Sequence, residues 1–183
     1  MKPISFIIPS RNNKTYLEMC YNSIRKNSGY THEICFADDF SEDGTWEYLQ
    51  EIKSKDDNVK IYRNEGPERL GLTILYDKIV EEMATNDRLL FFHSDMYLFP
   101  DALDYVDKYL EEGVVVTLTR VEPPLHPEGP EKIVVDFGIE PDELKEQQLL
   151  DWYRRYEPTQ EITEGVFAPV SYTHLTLPTK DSV

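Results

Sequence analysis

Acidic side chains directly follow two of the apolar segments in this sequence. Asp38 and Asp39 come after one such segment, and Asp95 comes two residues beyond His93 after another. Carboxylate oxygens are preferred ligands of Mg²⁺ and Mn²⁺, and a magnesium site commonly combines one or two carboxylates with the phosphates of a substrate. Two adjacent carboxylates also repel each other unless a base N–H, a ribose hydroxyl or a cation lies against them. These residue types therefore favour a site for a phosphorylated ligand and a divalent cation.

Each of these residues also has a purely structural interpretation. Asp43 and Ser41, which follow the acidic pair, are typical of residues that satisfy free amides at a helix start. An aspartate after a strand, such as Asp95, is more often a turn residue, and a lone histidine, such as His93, is more often a core residue than a ligand. On these residues alone both interpretations stay open.

The segment from Asn64 to Gly71 is a third candidate, because it has two glycines within six residues and leads into the clearest amphipathic helix of the chain. Glycines allow close backbone approach, and a helix N-terminus favours an anion. Arg69 in this segment is either a contact to a phosphate or base, or a solvated surface arginine. The sequence contains neither the P-loop pattern nor GxGxxG, so the usual fingerprints of mononucleotide and dinucleotide sites are absent.

Short apolar segments alternate with helical patterns over the first 120 residues. Predicted strands cover residues 4–9, 33–37, 59–62, 89–92 and 114–118. Strands that alternate with helices predict right-handed crossovers and an α/β fold with a mostly parallel central sheet and helices on both faces. Ligands of such sheets bind beyond the carboxyl ends of the strands. We therefore expect Ser10, the acidic pair and Asp95 to converge on one crevice.

The pattern changes after residue 120. Residues 122–130 hold four of the twelve prolines and predict a loop. A further strand is predicted over 132–137, and a charged helix over 141–156. Cys20 and Cys35 lie on apolar faces and have no zinc-ligand spacing around them, which indicates small buried hydrophobic residues.

Composition excludes several classes of protein. A chain of 183 residues with 40% hydrophobic residues is long enough for one domain with a core and is not a disordered chain. No apolar run approaches the roughly 20 residues that span a bilayer, and the short apolar stretch near the N-terminus predicts a strand rather than a signal peptide, so a cytoplasmic protein is expected. The net charge of −16 repels phosphate backbones and anionic lipids, so nucleic acid is not an expected partner.

Four segments, taken in order, resemble the nucleotide-sugar-binding half of a family 2 glycosyltransferase with the GT-A fold. The segments are Ile-Ile-Pro-Ser-Arg-Asn from Ile7, Ala-Asp-Asp-Phe-Ser-Glu-Asp-Gly-Thr from Ala37, Asn-Glu-Gly from Asn64, and Leu-Phe-Phe-His-Ser-Asp-Met-Tyr from Leu90 with the following Phe-Pro-Asp-Ala-Leu. The resemblance covers Ile4 to about Leu118. It implies a GT-A domain over 1–168 that is incomplete at its C-terminus, with the nucleotide-sugar-binding half at 1–120 and the start of the acceptor side at 121–168.

The resemblance also implies roles for individual residues. The positions that would form the nucleotide pocket are Pro9, Ser10, Arg11, Asp38, Asp39 and Arg69. Among them, Asp39 would accept a hydrogen bond from the base, Asp38 would support it or the ribose, and Arg69 would lie near the base or the phosphates. Pro9, Ser10 and Arg11 would line the pocket.

A divalent cation, Mg²⁺ or Mn²⁺, is implied by the same resemblance. Asp95 matches the last acid of the family's DxD-type motif, which holds the cation on the diphosphate. His93 stands at the first acid position of that motif, and Met96 stands where many members carry another acid. Asp95 is therefore the expected carboxylate ligand, with His93 as a second candidate ligand.

The implied reaction transfers a sugar from a UDP- or GDP-type nucleoside-diphosphate sugar to an acceptor hydroxyl with inversion. The acceptor would be a polysaccharide, a lipid-linked glycan or a protein, and the base would lie downstream of the fifth strand at a position that the sequence does not identify. Two alternatives stay open. One is a GT-A-like nucleotidyltransferase, which is expected to carry a glycine-rich basic loop that residues 10–14 lack. The other is a sugar-nucleotide-binding fragment without turnover.

The C-terminal tail differs from everything before it. Residues 170–179 resemble one reading frame of a DNA adapter used in preparing sequencing libraries. We expect native sequence to stop near Ala168 and residues 169–183 to be a non-native tail. The alternative is an edge strand, and the codons of this segment distinguish the two.

Overall fold

The computed structural model describes residues 2–124, 132–156 and 167–169. A four-stranded parallel sheet has the order β3-β2-β1-β4. Its strands are β1 (Ser5–Ser10), β2 (Glu33–Asp38), β3 (Val59–Arg63) and β4 (Leu89–Phe91). The predicted alternation of strands and helices is confirmed in this part of the chain.

Five α-helices occur in the described residues. They are α1 (Lys14–Ser28), α2 (Thr45–Lys55), α3 (Leu72–Lys78), α4 (Ala102–Tyr109) and α5 (Glu146–Arg155). A π-helical turn, Ile79–Met83, continues α3, and a 3₁₀ turn, Pro141–Glu143, precedes α5. The described residues contain no helix that is both long enough and apolar enough to cross a membrane. The expected cytoplasmic location stays a prediction.

The two faces of the main sheet bury different side chains, because successive residues of a strand point to opposite sides. Phe6 and Ile8 pack with α1, α2, α4 and α5 in the larger core. Ile7 and Cys35 pack on the other face with α3 and the π-helical turn. The prediction of helices on both faces is confirmed. So is the burial of both cysteines, which are free thiols.

A second, three-stranded parallel sheet has the order β6-β5-β7. Its strands are β5 (Thr117–Glu122), β6 (Lys132–Val134) and β7 (Phe167–Pro169). The predicted limits 114–118 of the fifth strand are wrong, because the chain leaves α4 through a turn at Gly113, with φ of 78°, and Val115 is 85% exposed. A strand begins where its backbone pairs with a neighbouring strand, and β5 pairs with β7 only from Thr117 onwards.

Other predicted limits also shift. The strand expected over 132–137 ends at Val134, and the helix expected over 141–156 is interrupted. Glu140 and Glu143 form a reciprocal capping box around the 3₁₀ turn, and the extended backbone of Leu144 then separates that turn from α5. Most of the loop predicted over 122–130 lies outside the described residues, as does 170–183, so the adapter hypothesis and the division of the chain at 120 stay predictions.

Candidate active site

The strand ends of the main sheet lie in one row. Register pairs Ser10 with Asp38 and Asp38 with Arg63, while the pairing of Ile7 with Phe91 places the segment 93–95 beyond the same edge. The polar residues that follow β1, β2 and β4 therefore lie along one edge of the sheet, at the carboxyl ends of its parallel strands.

Side-chain hydrogen bonds join two of these clusters directly. Ser10 Oγ donates to Asn13 Oδ1 at 2.6 Å, and Asn13 Nδ2 donates to Ser94 Oγ. Pro9 is buried in β1, whereas Arg11 is exposed at the start of the turn. The end of β1 is thus connected to the segment that carries His93 and Asp95 through Asn13, a residue for which the sequence suggested no role.

Asp38 is fully buried and takes its donors from its own turn. The amide and the hydroxyl of Ser41 both donate to the Asp38 carboxylate. Burial raises the pKa of Asp38 even though these donors oppose the shift. Arg63 Nε lies 3.7 Å from Asp38 Oδ2, and its guanidinium stacks over the Trp46 ring at 5.3 Å. The turn after β2 is therefore held by Asp38 and Ser41. Ser41 Oγ also accepts the Asn12 amide at 2.9 Å in the turn before α1, in keeping with its structural interpretation.

Asp39 takes its donors from the segment that follows β3. Its Oδ1 accepts from Asn64 Nδ2 at 2.8 Å and from the Leu70 amide at 2.9 Å, and its Oδ2 accepts from the Gly71 amide at 3.0 Å. Burial would raise the pKa of Asp39, but these donors and the Arg69 guanidinium, with Nε 3.7 Å from Oδ2, together lower it. The repulsion expected between the adjacent acids is thus relieved by the chain itself. A carboxylate has about four acceptor positions, so one remains.

The segment 64–71 is shaped by Asn64 and Gly66. Asn64 Oδ1 accepts the Gly66 amide, and Asn64 Nδ2 also donates to the Glu68 carbonyl. Gly66 has φ of 69°, and a Cβ there would lie 2.4 Å from the Phe40 ring. Only glycine fits this position. The Asn-x-Gly pattern marked the segment, but nothing in the sequence showed that Asn64 also binds the acid at the end of β2.

The structural interpretation of Asp43 is confirmed. Its Oδ1 accepts from the amide and the hydroxyl of Thr45, and its Oδ2 accepts from the Lys14 amide at 3.1 Å. Asp43 therefore satisfies free amides at the starts of α1 and α2, the role that acidic and hydroxyl residues have at helix N-termini.

Asp95 differs from the other acids of this edge. Its Oδ1 is buried and has no hydrogen-bond partner among the described residues. Burial raises the pKa of Asp95 to about 6, although a hydrogen bond from its own backbone amide opposes the shift. Unpaired buried carboxylate oxygens are rare in folded proteins, because a buried polar group without a partner costs roughly 1–3 kcal/mol. The position therefore suits a ligand that supplies positive charge.

His93 is held by Tyr76 of α3. Its Nε2 lies 2.9 Å from Tyr76 Oη, and the two rings meet edge to face at 6.0 Å. Burial lowers the pKa of His93 to about 4, so the imidazole is neutral near pH 7. Tyr76 lies in the amphipathic helix that follows segment 64–71, and a contact between residues 17 apart in different elements leaves no local signal in the sequence.

A protein-family model for glycosyl transferase family 2 matches residues 5–163. The chain belongs to this family. Abequosyltransferase RfbV of Salmonella typhimurium is 35% identical over 121 residues, which cover 63% of this family 2 chain and 34% of that protein. The chain spans 34% and 37% of the length of the curated relatives it matches.

Solved structures match the family 2 chain as well. S. aureus TarS 1-349 in complex with UDP-GlcNAc matches with a TM-score of 0.56 at 20% identity, covering 70% of this chain and 37% of that one. Mannosyltransferase PcManGT from Pyrobaculum calidifontis in complex with GDP-Man and Mn²⁺ matches with a TM-score of 0.54 at 20% identity, covering 65% and 35%. At this identity the likeness shows the fold, and the predicted GT-A fold is confirmed.

The residues of the family 2 chain fit a divalent cation in one specific way. No group of three or more His, Cys, Asp or Glu side chains that could hold a metal occurs in the ranges described. The unpaired Oδ1 of Asp95 and a nitrogen of the neutral His93 ring are two candidate metal ligands. A magnesium ion commonly takes one or two protein ligands together with waters and substrate phosphates. The site therefore suits a cation that arrives with a diphosphate rather than one caged by protein.

Proposed function

We propose that this chain is the donor-binding part of a glycosyltransferase that transfers a sugar from a nucleoside-diphosphate sugar to an acceptor hydroxyl with inversion, assisted by Mg²⁺ or Mn²⁺. The observation that carries the proposal is the buried, unpaired Oδ1 of Asp95 at the carboxyl edge of the sheet. Membership of the family supports glycosyl transfer. Nucleotide sugars in the matching structures, UDP-GlcNAc in one and GDP-Man with Mn²⁺ in the other, support the donor class and the cation.

The nucleotide would bind across the ends of β1 and β2. Asp39 has one acceptor position left for a base N–H, and the exposed Arg69 beside it would contact the base or the phosphates. Pro9, Ser10 and Arg11 would line the pocket at the end of β1, and Asp38 would hold the turn against the ribose. Because Asp39 also fixes segment 64–71, binding of the base and the shape of that segment are coupled.

Charge explains why the cation is needed. The chain carries −16, so a diphosphate approaching the acidic edge is repelled unless positive charge accompanies it. A bound divalent cation neutralises the charge that develops on the leaving diphosphate. Asp95 would hold it through the unpaired oxygen, and His93 would supply a neutral nitrogen without further negative charge. The base that deprotonates the acceptor would belong to the acceptor side, which begins after residue 120.

Calorimetric titration of UDP and GDP, each with and without MnCl₂, tests the proposal. We expect one of the nucleotides to bind in a Mn²⁺-dependent manner, and Asp95→Asn to weaken that binding by about tenfold or more, since even indirect partners of metal ligands are worth 10–100-fold. Asp57→Asn is the matched control, because Asp57 is an exposed acid in the turn before β3, at the opposite edge of the sheet.

Three results would contradict different parts of the proposal. Metal-independent binding by the wild-type chain would remove the role given to Asp95. Binding of neither nucleotide would contradict donor binding as a whole. Nucleotide binding without sugar transfer, in a chain that also includes the acceptor side, would favour the alternative of a binding module.

A further inference from the structure

The Tyr76 ring contacts two side chains, Phe91 at the end of β4 and His93 in the segment that follows. It packs edge to face against Phe91 at 5.3 Å and against His93 at 6.0 Å. Its hydroxyl lies 2.9 Å from His93 Nε2. These contacts leave the hydroxyl little freedom to choose another partner.

The two ring nitrogens of His93 have different surroundings. Nε2 is engaged by Tyr76, whereas Nδ1 has no hydrogen-bond partner in the described part of the chain. A neutral imidazole has one N–H and one lone pair, and a hydrogen bond at one nitrogen decides which nitrogen carries the proton. The direction of the hydrogen bond between Tyr76 and Nε2 is therefore linked to whether Nδ1 carries a proton or a lone pair, since a phenolic hydroxyl can either donate or accept.

We propose that Tyr76 is a positioning residue whose hydroxyl oxygen accepts the Nε2–H of His93 and so reserves the Nδ1 lone pair for the cation also held by Asp95. This inference rests on the proposed function. Histidine ligands usually donate their second N–H to an outer acceptor, most often a carboxylate, a backbone carbonyl or a water, which fixes both the tautomer and the ring orientation. The Tyr76 oxygen would take the place of that acceptor.

The contact between Tyr76 and His93 matters because a histidine stands where the acidic motif of the resembled family has a carboxylate. A carboxylate at the position of His93 would need no tautomer to be chosen, whereas an imidazole binds a cation only through an unprotonated nitrogen. Tyr76 makes that choice without adding charge. A carboxylate in place of Tyr76 would set a further negative group within electrostatic reach of Asp95.

The first test reads the tautomer directly in the metal-free, nucleotide-free chain. The protein is labelled with ¹⁵N-histidine, and the His93 signals are identified among the four histidines by their loss in His93→Gln. We expect a protonated Nε2 and an unprotonated Nδ1 in the wild type, and a mixture of both tautomers in Tyr76→Phe. Tyr62→Phe is the matched control, since Tyr62 packs in the same smaller core without touching His93. A protonated Nδ1 in the wild type, or an unchanged spectrum in Tyr76→Phe, overturns the inference.

The second test is a double-mutant cycle on Mn²⁺ affinity, measured by electron paramagnetic resonance in the presence of UDP or GDP. Tyr76→Phe is expected to weaken Mn²⁺ binding by about tenfold in the wild-type background and to have no further effect in His93→Gln. An equal loss in both backgrounds would show that Tyr76 acts on the fold rather than through His93, and would overturn the inference. Failure of the inference appears in the metal-free spectra, whereas failure of the proposed function appears as absent nucleotide binding by the wild type.

Discussion

Two buried carboxylates, one at each edge of the main sheet, have opposite surroundings. At the amino edge Glu33 accepts from Ser5 Oγ and from the amide and hydroxyl of Thr85, and it pairs with Lys60 Nζ at 2.6 Å. At the carboxyl edge Asp95 has a buried oxygen with no partner among the described residues. Both oxygens of Glu33 are therefore fully paired, whereas Oδ1 of Asp95 has no donor in the part of the chain that the structure describes.

We interpret this difference as that between a carboxylate that holds the fold and one that we propose binds a ligand. A satisfied buried carboxylate stabilises the structure around it, while an unsatisfied one lowers stability and persists where function requires it. Asp39 lies between these extremes, because it fixes segment 64–71 and still has one acceptor position. The comparison therefore predicts opposite responses to the same chemical change at the two edges.

Replacement of Glu33 by glutamine should give the largest loss of stability. The new amide nitrogen must face either the Thr85 amide or the Lys60 ammonium, both of which are donors, so we expect a cost of about 3 kcal/mol in the free energy of unfolding. Urea denaturation measures it. Glu51→Gln removes an exposed partner of Lys55 and serves as the control, with no measurable change expected because exposed ion pairs contribute little to stability. A similar small change for Glu33→Gln would mean that the amino edge is not held by this carboxylate.

Glycine substitutions at the two edges should cause smaller losses of stability and test how rigidly each edge is packed. Gly66→Ala brings a Cβ to 2.4 Å from the Phe40 ring at φ of 69°, so we expect a cost of about 2 kcal/mol. Gly29→Ala, at φ of 73° in the loop before β2, has open space around its Cβ and should cost about 1 kcal/mol from backbone strain alone. Equal costs in urea denaturation would show that Phe40 yields without penalty and that segment 64–71 is not rigidly packed.

The contribution of Glu33 to the free energy of unfolding should also depend on pH. Burial would raise the pKa of Glu33, but the ammonium of Lys60 and the donors from Ser5 and Thr85 lower it below its usual 4.5. A lowered folded-state pKa means that the stabilisation is complete above pH 4.5 and is lost as the pH falls through the folded value. The stability difference between wild type and Glu33→Gln should therefore be constant from pH 7 to about 5 and shrink below 4.5. A difference that grows on acidification would contradict this sign.

Local patterns predicted the strand ends but not the contacts made there. The apolar runs and the residues after them placed Ser10, Asp38 and Asp95 at one edge of the sheet. This prediction was possible because parallel strands all have their carboxyl ends at the same edge. The partners could not be predicted, because Glu33 binds Thr85 across 52 positions and Asp39 binds Gly71 across 32. Such contacts depend on how separate elements pack, so the sequence named the acids without showing which one would stay unpaired.

The smallest expected change in stability is the most informative about the carboxyl edge. Asp95→Asn makes the same change as Glu33→Gln, a carboxylate to its amide, but at a site where no donor pairs with Oδ1 in the described residues. Because the neutral amide avoids the cost of burying a charge, we expect the free energy of unfolding to stay within about 0.5 kcal/mol of wild type or to rise. The same variant should weaken Mn²⁺-dependent nucleotide binding by about tenfold or more. A loss of stability above about 1 kcal/mol would instead place Asp95 with Glu33 among the residues that hold the fold, and would remove the distinction between the two edges.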